Sequence, residues 1–228
     1  MPGGSRHDRT RFESARRGGA LPATALADPR EPGWIVSNSG SLTRESGPYV
    51  SSVRERMVRV ITLDDFDTYP DFPVEGILFY DIAPILASPE RFREACIQLM
   101  PPTGSPVDIV AGVDARGFIF APVVAQTLDV GMAMVRKKGK MPGTDLLESS
   151  AEIEYGARDL AVSAGSVEGR HVLVIDDVLA TGGTARAVAE MLERGGAASV
   201  RFSFLIEIGA LPGRAALEGY DVTSVVVV

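Results

Sequence analysis

The stretch from His171 to Thr184, HVLVIDDVLATGGT, places side by side the residue types that one small ligand could use together. Val172, Leu173, Val174 and Ile175 form an unbroken apolar run, the pattern of a strand buried on both faces in a parallel sheet. Two adjacent carboxylates, Asp176 and Asp177, end it. A small, hydroxylated, glycine-rich cluster follows, Ala180-Thr181-Gly182-Gly183-Thr184, and then a helical pattern from Ala185 to Arg194. Gly182 and Gly183 let the backbone bend and approach an anion closely. Thr181 and Thr184 supply hydroxyls, and the amides that open the helix point at the same spot, which suits a phosphate. The acidic pair repels that phosphate. It suits neutral hydroxyls elsewhere on the same ligand, or a divalent cation shared with it. A phosphate at one end and a diol at the other describe a ribose 5-phosphate. The segment is not a P-loop, because no Lys follows the glycines.

A second ligand element is a concentration of positive charge. The chain has only three lysines against twenty arginines, and all three lie in Arg136-Lys137-Lys138-Gly139-Lys140. Lys offers a compact point charge where Arg offers a planar fork, so this restriction points to a local requirement. A solvated basic turn is the ordinary reading of such a run. Here, beside Gly139 and Pro142-Gly143 in an otherwise acidic body, the run reads better as a mobile anion clamp.

A third element is Gly112-Val113-Asp114-Ala115-Arg116-Gly117-Phe118. A strand ends there, a tight turn exposes backbone amides, and Arg116 stands at a helix N-terminus. Positive charge is unfavourable at that end of a helix unless an anion is present. The competing reading pairs Arg116 with Asp114 on the surface. A fourth segment, Glu152-Ile153-Glu154-Tyr155-Gly156, reads by itself as an amphipathic strand with Glu152 and Glu154 facing solvent.

These segments need a scaffold, and the rest of the chain spells one out. Ser88 caps and Pro89 opens a helix running to Met100. Strands are expected at Asp108–Val113, Met132–Arg136, His171–Ile175, Ser199–Glu207 and Val222–Val228. Helices are expected at Gly117–Leu128, Ala185–Arg194 and Gly213–Glu218. Lys137 to about Ser150 reads as a polar loop, and Glu152–Tyr155 with Asp159–Val162 as a hairpin around Gly156. Phe72 to Asp81 reads as a turn leading into a short strand. Strands alternating with helices indicate an α/β fold with a parallel sheet wound by right-handed crossovers. Ligands of such sheets sit beyond the carboxyl ends of the strands. The motifs after Val113, Arg136 and Ile175 all fall at those ends.

Composition narrows the classes further. The chain of 228 residues is 45% hydrophobic, enough for one α/β domain with a sizeable core plus an appendage. Residues 1–56 hold nine Arg and six acids, net +3, whereas residues 57–228 hold fourteen bases and twenty-four acids, net −10. A body this acidic argues against nucleic acid as a partner. No apolar run approaches the ~20 residues of a membrane span. One cysteine, Cys96, excludes a disulfide framework, and two histidines beside it leave no zinc-type cluster, so a reducing cytoplasm is the expected location. Cys96 lies in a helical pattern and reads as a small buried residue. Residues 1–56 are rich in Gly, Ser, Pro and Arg without a sustained period, which reads as a disordered N-terminal extension. That segment has no apolar core of a secretory signal, and its scattered acids do not suit a transit peptide.

With these residues in view, a family resemblance can be stated. VIDDVLATGGT resembles the phosphoribosyl pyrophosphate (PRPP) signature of type I phosphoribosyltransferases, in the form that adenine phosphoribosyltransferases carry. The likeness spans roughly Pro70 to Val228, and its three motifs keep the family order. It implies a parallel sheet flanked by helices, with a small hood near residues 60–85 and a flexible catalytic loop, all within residues 57–228. By the same resemblance, Asp176 and Asp177 hold the ribose hydroxyls, and Ala180, Thr181, Gly182, Gly183 and Thr184 fix the 5-phosphate. Arg116 contacts pyrophosphate, and Arg136, Lys137 and Lys140 in RKKGKMPG close over it. Glu154 becomes the acid/base group near the base nitrogens, with Tyr155 lining the site. Leu78, Phe79 and Tyr80 lie beside the base, Phe79 on one face and Val178 on the other; an ordinary core role for Phe79 stays open. Relatives usually carry Arg or Lys where Tyr80 stands. The implied reaction is adenine plus PRPP giving AMP and pyrophosphate, with Mg²⁺ carried on PRPP and Asp176 and Asp177 as its possible protein ligands. A homodimer is the family's common state, and Met57 stands where a shorter relative could start. Two alternatives stay open: the same chemistry on hypoxanthine or guanine, and a PRPP-sensing purine repressor.

Overall fold

The computed structural model describes residues 59–149 and 160–228, together with two short strands further upstream. The chain divides into two units, Met1–Pro48 and Tyr49–Val228. In the first, β1 (Ile35–Val36) pairs antiparallel with β2 (Leu42–Thr43), inside the segment expected to lack regular structure.

The second unit opens with a 3-10 turn at Leu63–Asp65 and an antiparallel hairpin of β3 (Asp67–Pro70) and β4 (Leu78–Asp81). Helices α1 (Ala83–Ala87) and α2 (Pro89–Gln98) follow, and Ser88 caps α2 by accepting from the Arg91 amide at 3.3 Å. Then come β5 (Ile109–Val113), α3 (Gly117–Leu128), β6 (Gly131–Lys137), β7 (Leu146–Glu148) and β8 (Leu160–Ser163). The chain closes with β9 (His171–Leu179), α4 (Gly183–Arg194), β10 (Ser199–Glu207), α5 (Gly213–Ala216) and β11 (Asp221–Val227).

A seven-stranded sheet orders these strands β11-β10-β9-β5-β6-β8-β7. The five from β11 to β6 run parallel, as the alternation of strands and helices requires, while β8 and β7 add an antiparallel edge. That edge departs from the expected pattern in one respect. The antiparallel neighbours of β8 are β6 and β7, with Leu146, Leu147 and Glu148 opposite Ser163, Val162 and Ala161, so a strand stands where a polar loop was expected. Glu152–Tyr155, the hairpin partner expected for this strand, lies outside the described residues.

Alternation along β9 divides the core. Val172 and Val174 face one hydrophobic cluster, with Val188, Met191 and Leu192 of α4, whereas Leu173 and Ile175 face a second, with Phe120, Ala121 and Val124 of α3. Helices therefore cover both faces, which is why the central strands read as continuous apolar runs. Cys96 is buried in the second cluster, and burial pushes its thiol up to about 12, leaving it inert as a nucleophile.

Candidate active site

The sheet brings the ends of β5 and β9 together, because the two strands are direct neighbours from Ile109↔Val172 to Gly112↔Ile175. Two turns therefore meet above them. Gly117, at the start of α3, sits against β9 so closely that a Cβ there would collide with the Ile175 carbonyl oxygen. Absence of a side chain is what lets the Asp114–Arg116 turn lie on the end of β9. The Asp114–Ala115 peptide in that turn is cis.

β9 runs four residues beyond the apolar segment, so Asp176 and Asp177 are strand residues rather than the start of a turn. Asp176 stands opposite Phe204 of β10, and Asp177 is buried. The cause lies across the sheet. Arg116 Nε meets Asp177 Oδ2 at 2.8 Å, so the cation that could have paired with Asp114 supplies the partner that a buried carboxylate needs. Asp114 instead faces Arg136, Nε to Oδ2 at 4.0 Å. The Asp177 amide donates to Asp176 Oδ1 at 2.9 Å, fixing the geometry of the pair.

Electrostatics set the pair under tension. Burial raises the Asp176 carboxyl well above its ordinary value, and the adjacent Asp177 charge raises it further. Burial also raises Asp177, opposed by the Arg116 charge. Two hard oxygen donors that share too little positive charge are suited to ribose hydroxyls or to a divalent cation. Among the described residues no cluster of three or more His, Cys, Asp and Glu side chains is placed to hold a metal ion. A cation here would need ligands from its substrate as well as from the chain.

Beyond Leu179 the chain turns through Ala180–Gly182 into α4. Gly182 caps the helix at φ 84°, a left-handed conformation that favours glycine, and its carbonyl accepts from the Arg186 amide at 2.8 Å. No acidic residue lies in the first turn of α4, so its free amides and positive end face the loop uncompensated. Asp114, Arg116, Asp176, Asp177, Val178 and the Ala180–Thr184 loop line a single cleft of about 190 Å³. A glycine-rich loop that opens a helix, an acidic pair and an arginine thus share one enclosure.

Phe204 and Leu179 line the cleft as well. Leu179 precedes the Ala180–Thr184 loop directly, whereas nothing in the local sequence marks Phe204, which the β9–β10 register sets opposite Asp176.

The basic run is placed differently. Arg136 is the penultimate residue of β6, and its Nη1 donates to the Lys140 carbonyl at 2.9 Å, closing a turn in which Gly139 takes φ 77°. Lys138 pairs with Glu148 of β7 at 2.7 Å. Lys137 and Lys140 are exposed and do not line the cleft.

In the segment expected beside the base, Phe79 and its neighbours alternate along β4. The Arg116 guanidinium lies over the Phe79 ring at 5.6 Å from its centroid, and the Phe72 ring meets Phe79 edge-on at 5.1 Å. Leu78 is exposed, and Tyr80 packs against the second core cluster, so neither shares the side of the strand that Phe79 uses. Glu154 and Tyr155 lie outside the described residues.

Known proteins resemble this chain in sequence and fold. The phosphoribosyl transferase domain family matches residues 91–225. An adenine phosphoribosyltransferase of Thermobifida fusca is 42% identical over 181 residues, covering 78% of this chain and 98% of that relative. The crystal structure of adenine phosphoribosyltransferase from Thermoanaerobacter pseudethanolicus superposes with a TM-score of 0.66 at 36% identity, covering 72% of this chain and 96% of that one. A Giardia lamblia relative, solved in complex with 9-deazaadenine, gives a TM-score of 0.67 at 33% identity, covering 74% of this chain and 99% of that one.

Proposed function

This chain belongs to the adenine phosphoribosyltransferase family, and from that membership we propose that it transfers the 5-phosphoribosyl group of PRPP to adenine, forming AMP and pyrophosphate. The observation that carries the reading is the meeting of the Arg116 turn, the Asp176–Asp177 pair and the Ala180–Thr184 loop around one cleft.

The roles follow from what each group can stabilise. The amides opening α4 and the hydroxyls of Thr181 and Thr184 hold the 5-phosphate. Asp176 and Asp177 accept from the ribose hydroxyls, and their charge favours the cationic character that the sugar develops as its bond to pyrophosphate lengthens. Arg116 neutralises charge on the departing pyrophosphate. It exchanges Asp177 for that anion, which leaves the acidic pair to the sugar. The exposed Lys137 and Lys140, with Arg136, add charge when their loop closes and excludes water from the activated sugar. Adenine N9 bonds to the sugar carbon as the pyrophosphate oxygen leaves, and Glu154 accepts the proton that the base loses, with Tyr155 beside it. Phe79 and Val178 sandwich the base, with Leu78 and Tyr80 framing the hood. Mg²⁺ bound with PRPP supplies charge neutralisation of the pyrophosphate, and the oxygen donors of Asp176 and Asp177 suit that hard cation.

The same reading makes residues 57–228 the catalytic unit and the protein a cytoplasmic homodimer. Among the described residues no helix is long and apolar enough to cross a membrane. Incubating the protein with Mg²⁺, PRPP and each of adenine, hypoxanthine and guanine tests the assignment. AMP from adenine, far faster than product from the other bases, is the expected result. Preference for another base would overturn the substrate, and no nucleotide from any base would overturn the reaction.

A further inference from the structure

The loop that receives the 5-phosphate is built against a helix too short to hold itself in place. Gly182 lies so near α5 that a Cβ would stand 2.6 Å from Ala216 Cβ and 2.9 Å from the Gly213 carbonyl oxygen. In the reverse direction, a Cβ on Gly213 would run into the Ala180 carbonyl oxygen and stand 2.9 Å from Leu179 Cγ. Backbone therefore lies on backbone, and the position of α5 dictates that of Ala180 to Gly182. Yet α5 spans four residues, a single turn with no helical stability of its own.

A polar network outside the cleft fixes it. Arg214 of α5 donates from Nε to Glu207 Oε1 at 3.1 Å, and its Nη2 pairs with Glu207 Oε2. Its Nη1 donates to the Val222 carbonyl at 2.7 Å, and Nη2 also reaches Ser224 Oγ at 3.2 Å. Ser224 Oγ donates in turn to Glu207 Oε2 at 2.6 Å. One guanidinium thus ties α5 to the end of β10 and to the first half of β11, using the planar fork that Lys lacks. Glu207 is buried, and burial alone would raise its carboxyl. Hydrogen bonds from Arg214 and Ser224 overcome that and hold it below its ordinary range, so it stays charged. The register completes the link: Glu207 stands opposite Leu179, the residue before the phosphate loop, and the Ile208 amide donates to the Leu179 carbonyl at 2.9 Å.

We infer that Glu207, Arg214 and Ser224 are positioning residues for the 5-phosphate loop, acting through the Gly213–Gly182 contact to set affinity for the phosphorylated sugar. This rests on the assignment of Ala180–Thr184 as the phosphate site. None of the three residues lines the cleft, so their effect should fall on one end of the substrate only.

The test uses the full-length protein and two probes, ribose 5-phosphate with Mg²⁺ and pyrophosphate with Mg²⁺, titrated by calorimetry. Arg214→Ala should weaken ribose 5-phosphate binding roughly tenfold and raise the KM for PRPP in step, while pyrophosphate affinity and kcat at saturation stay within about twofold. Arg214→Lys, which keeps one contact to Glu207, should recover part of the loss. Ser224→Ala removes a single hydrogen-bonding group. It should show the same selective loss at smaller size, even if Arg214→Ala fails to fold. Equal ribose 5-phosphate binding by wild type and by Arg214→Ala or Ser224→Ala, or parallel losses for both probes, would overturn the positioning role. A wild type that binds pyrophosphate but not ribose 5-phosphate would instead overturn the phosphate-site assignment, and the positioning role with it.

Discussion

Arg116, from the turn after β5, forms an ion pair with Asp177, from the buried end of β9, at 2.8 Å. The same guanidinium stacks over Phe79 of the hood hairpin at 5.6 Å. One side chain thereby touches both the β3–β4 hairpin and the acidic pair, and on the proposed function substrate takes over each of those contacts. Replacing it separates its two duties.

Arg116→Ala should lower AMP formation by about a hundredfold or more, the scale for removing one donor to developing negative charge. It also leaves Asp177 buried without its partner, a loss of roughly 1–3 kcal/mol for an orphaned polar group. Burial raises the Asp177 carboxyl and the Arg116 charge is what chiefly holds it down, so without Arg116 that carboxyl rises further. The acid limb of the pH–rate profile should therefore move to higher pH. Melting temperature and a pH profile check both effects; an unshifted profile would mean that the ion pair does not control the carboxylates.

Asp176→Asn should trade activity for stability. The folded carboxyl is raised by burial and by Asp177, so the folded state binds its proton more tightly than the unfolded chain does. Its cost to stability is absent below the usual carboxylate range and fully present above the raised value. Asn removes the charge and keeps an acceptor for the Asp177 amide. At pH 8 the variant should gain about 0.5–2 kcal/mol, with the gain vanishing near pH 4, while PRPP-dependent turnover is mostly lost. Chemical denaturation at the two pH values measures this; a variant less stable at pH 8 would show that the pair builds the fold.

Lys137→Ala with Lys140→Ala should cut turnover far more than adenine affinity. Both side chains are exposed and outside the cleft, so stability should change by no more than about 0.5 kcal/mol. A selective fall in kcat marks contacts made in the transition state rather than the ground state. Normal turnover would reduce the cluster to a solvated turn.

Where the sequence was legible, one local rule was enough. Ser199–Glu207 and Gly117–Leu128 have the bounds expected of them, because Val200, Phe202 and Phe204 alternate with Arg201 and Ser203 as a strand requires, and a helix keeps its own period. The turn into α4 was legible because its left-handed position, φ 84°, falls on a glycine, Gly182. What escaped depends on partners distant in sequence. Two carboxylates look like the end of a strand unless Arg116, sixty-one residues before Asp177, is known to neutralise one of them. Three residues of β7 carry no period, and their place comes from β8 and from Leu147 packing where Gly195 has no side chain. Likewise nothing near Glu207 announces that Arg214 and Ser224 will enclose it.

A chain that begins at Met57 should keep nearly full activity and stability. It retains Arg59, which donates to buried Asp65 at 2.9 Å, and Ile61, which joins the second core cluster. The family match starts well after it, at residue 91. Melting temperature and AMP formation of the two lengths should agree, the former to within the ~0.5 kcal/mol typical of changes away from packed features. Insolubility of the short form, or a large loss in either measure, would make residues 1–56 part of the catalytic unit.

Tyr80→Arg tests which part of the hood selects the base. By the family resemblance, Arg or Lys is the usual residue where Tyr80 stands. Tyr80 packs against the core cluster, while Phe79, on the other side of β4, meets Arg116. If stacking between Phe79 and Val178 and backbone contacts set the preference, restoring Arg should leave adenine the favoured base. The expected cost is packing rather than specificity, about 1 kcal/mol for replacing a half-buried aromatic ring by a longer charged chain whose head must reach water. Steady-state rates with adenine, hypoxanthine and guanine for both proteins, together with their melting temperatures, decide it. A wild type that prefers hypoxanthine or guanine and switches to adenine on this one change would place base selection at Tyr80 and take it away from the Phe79 stack.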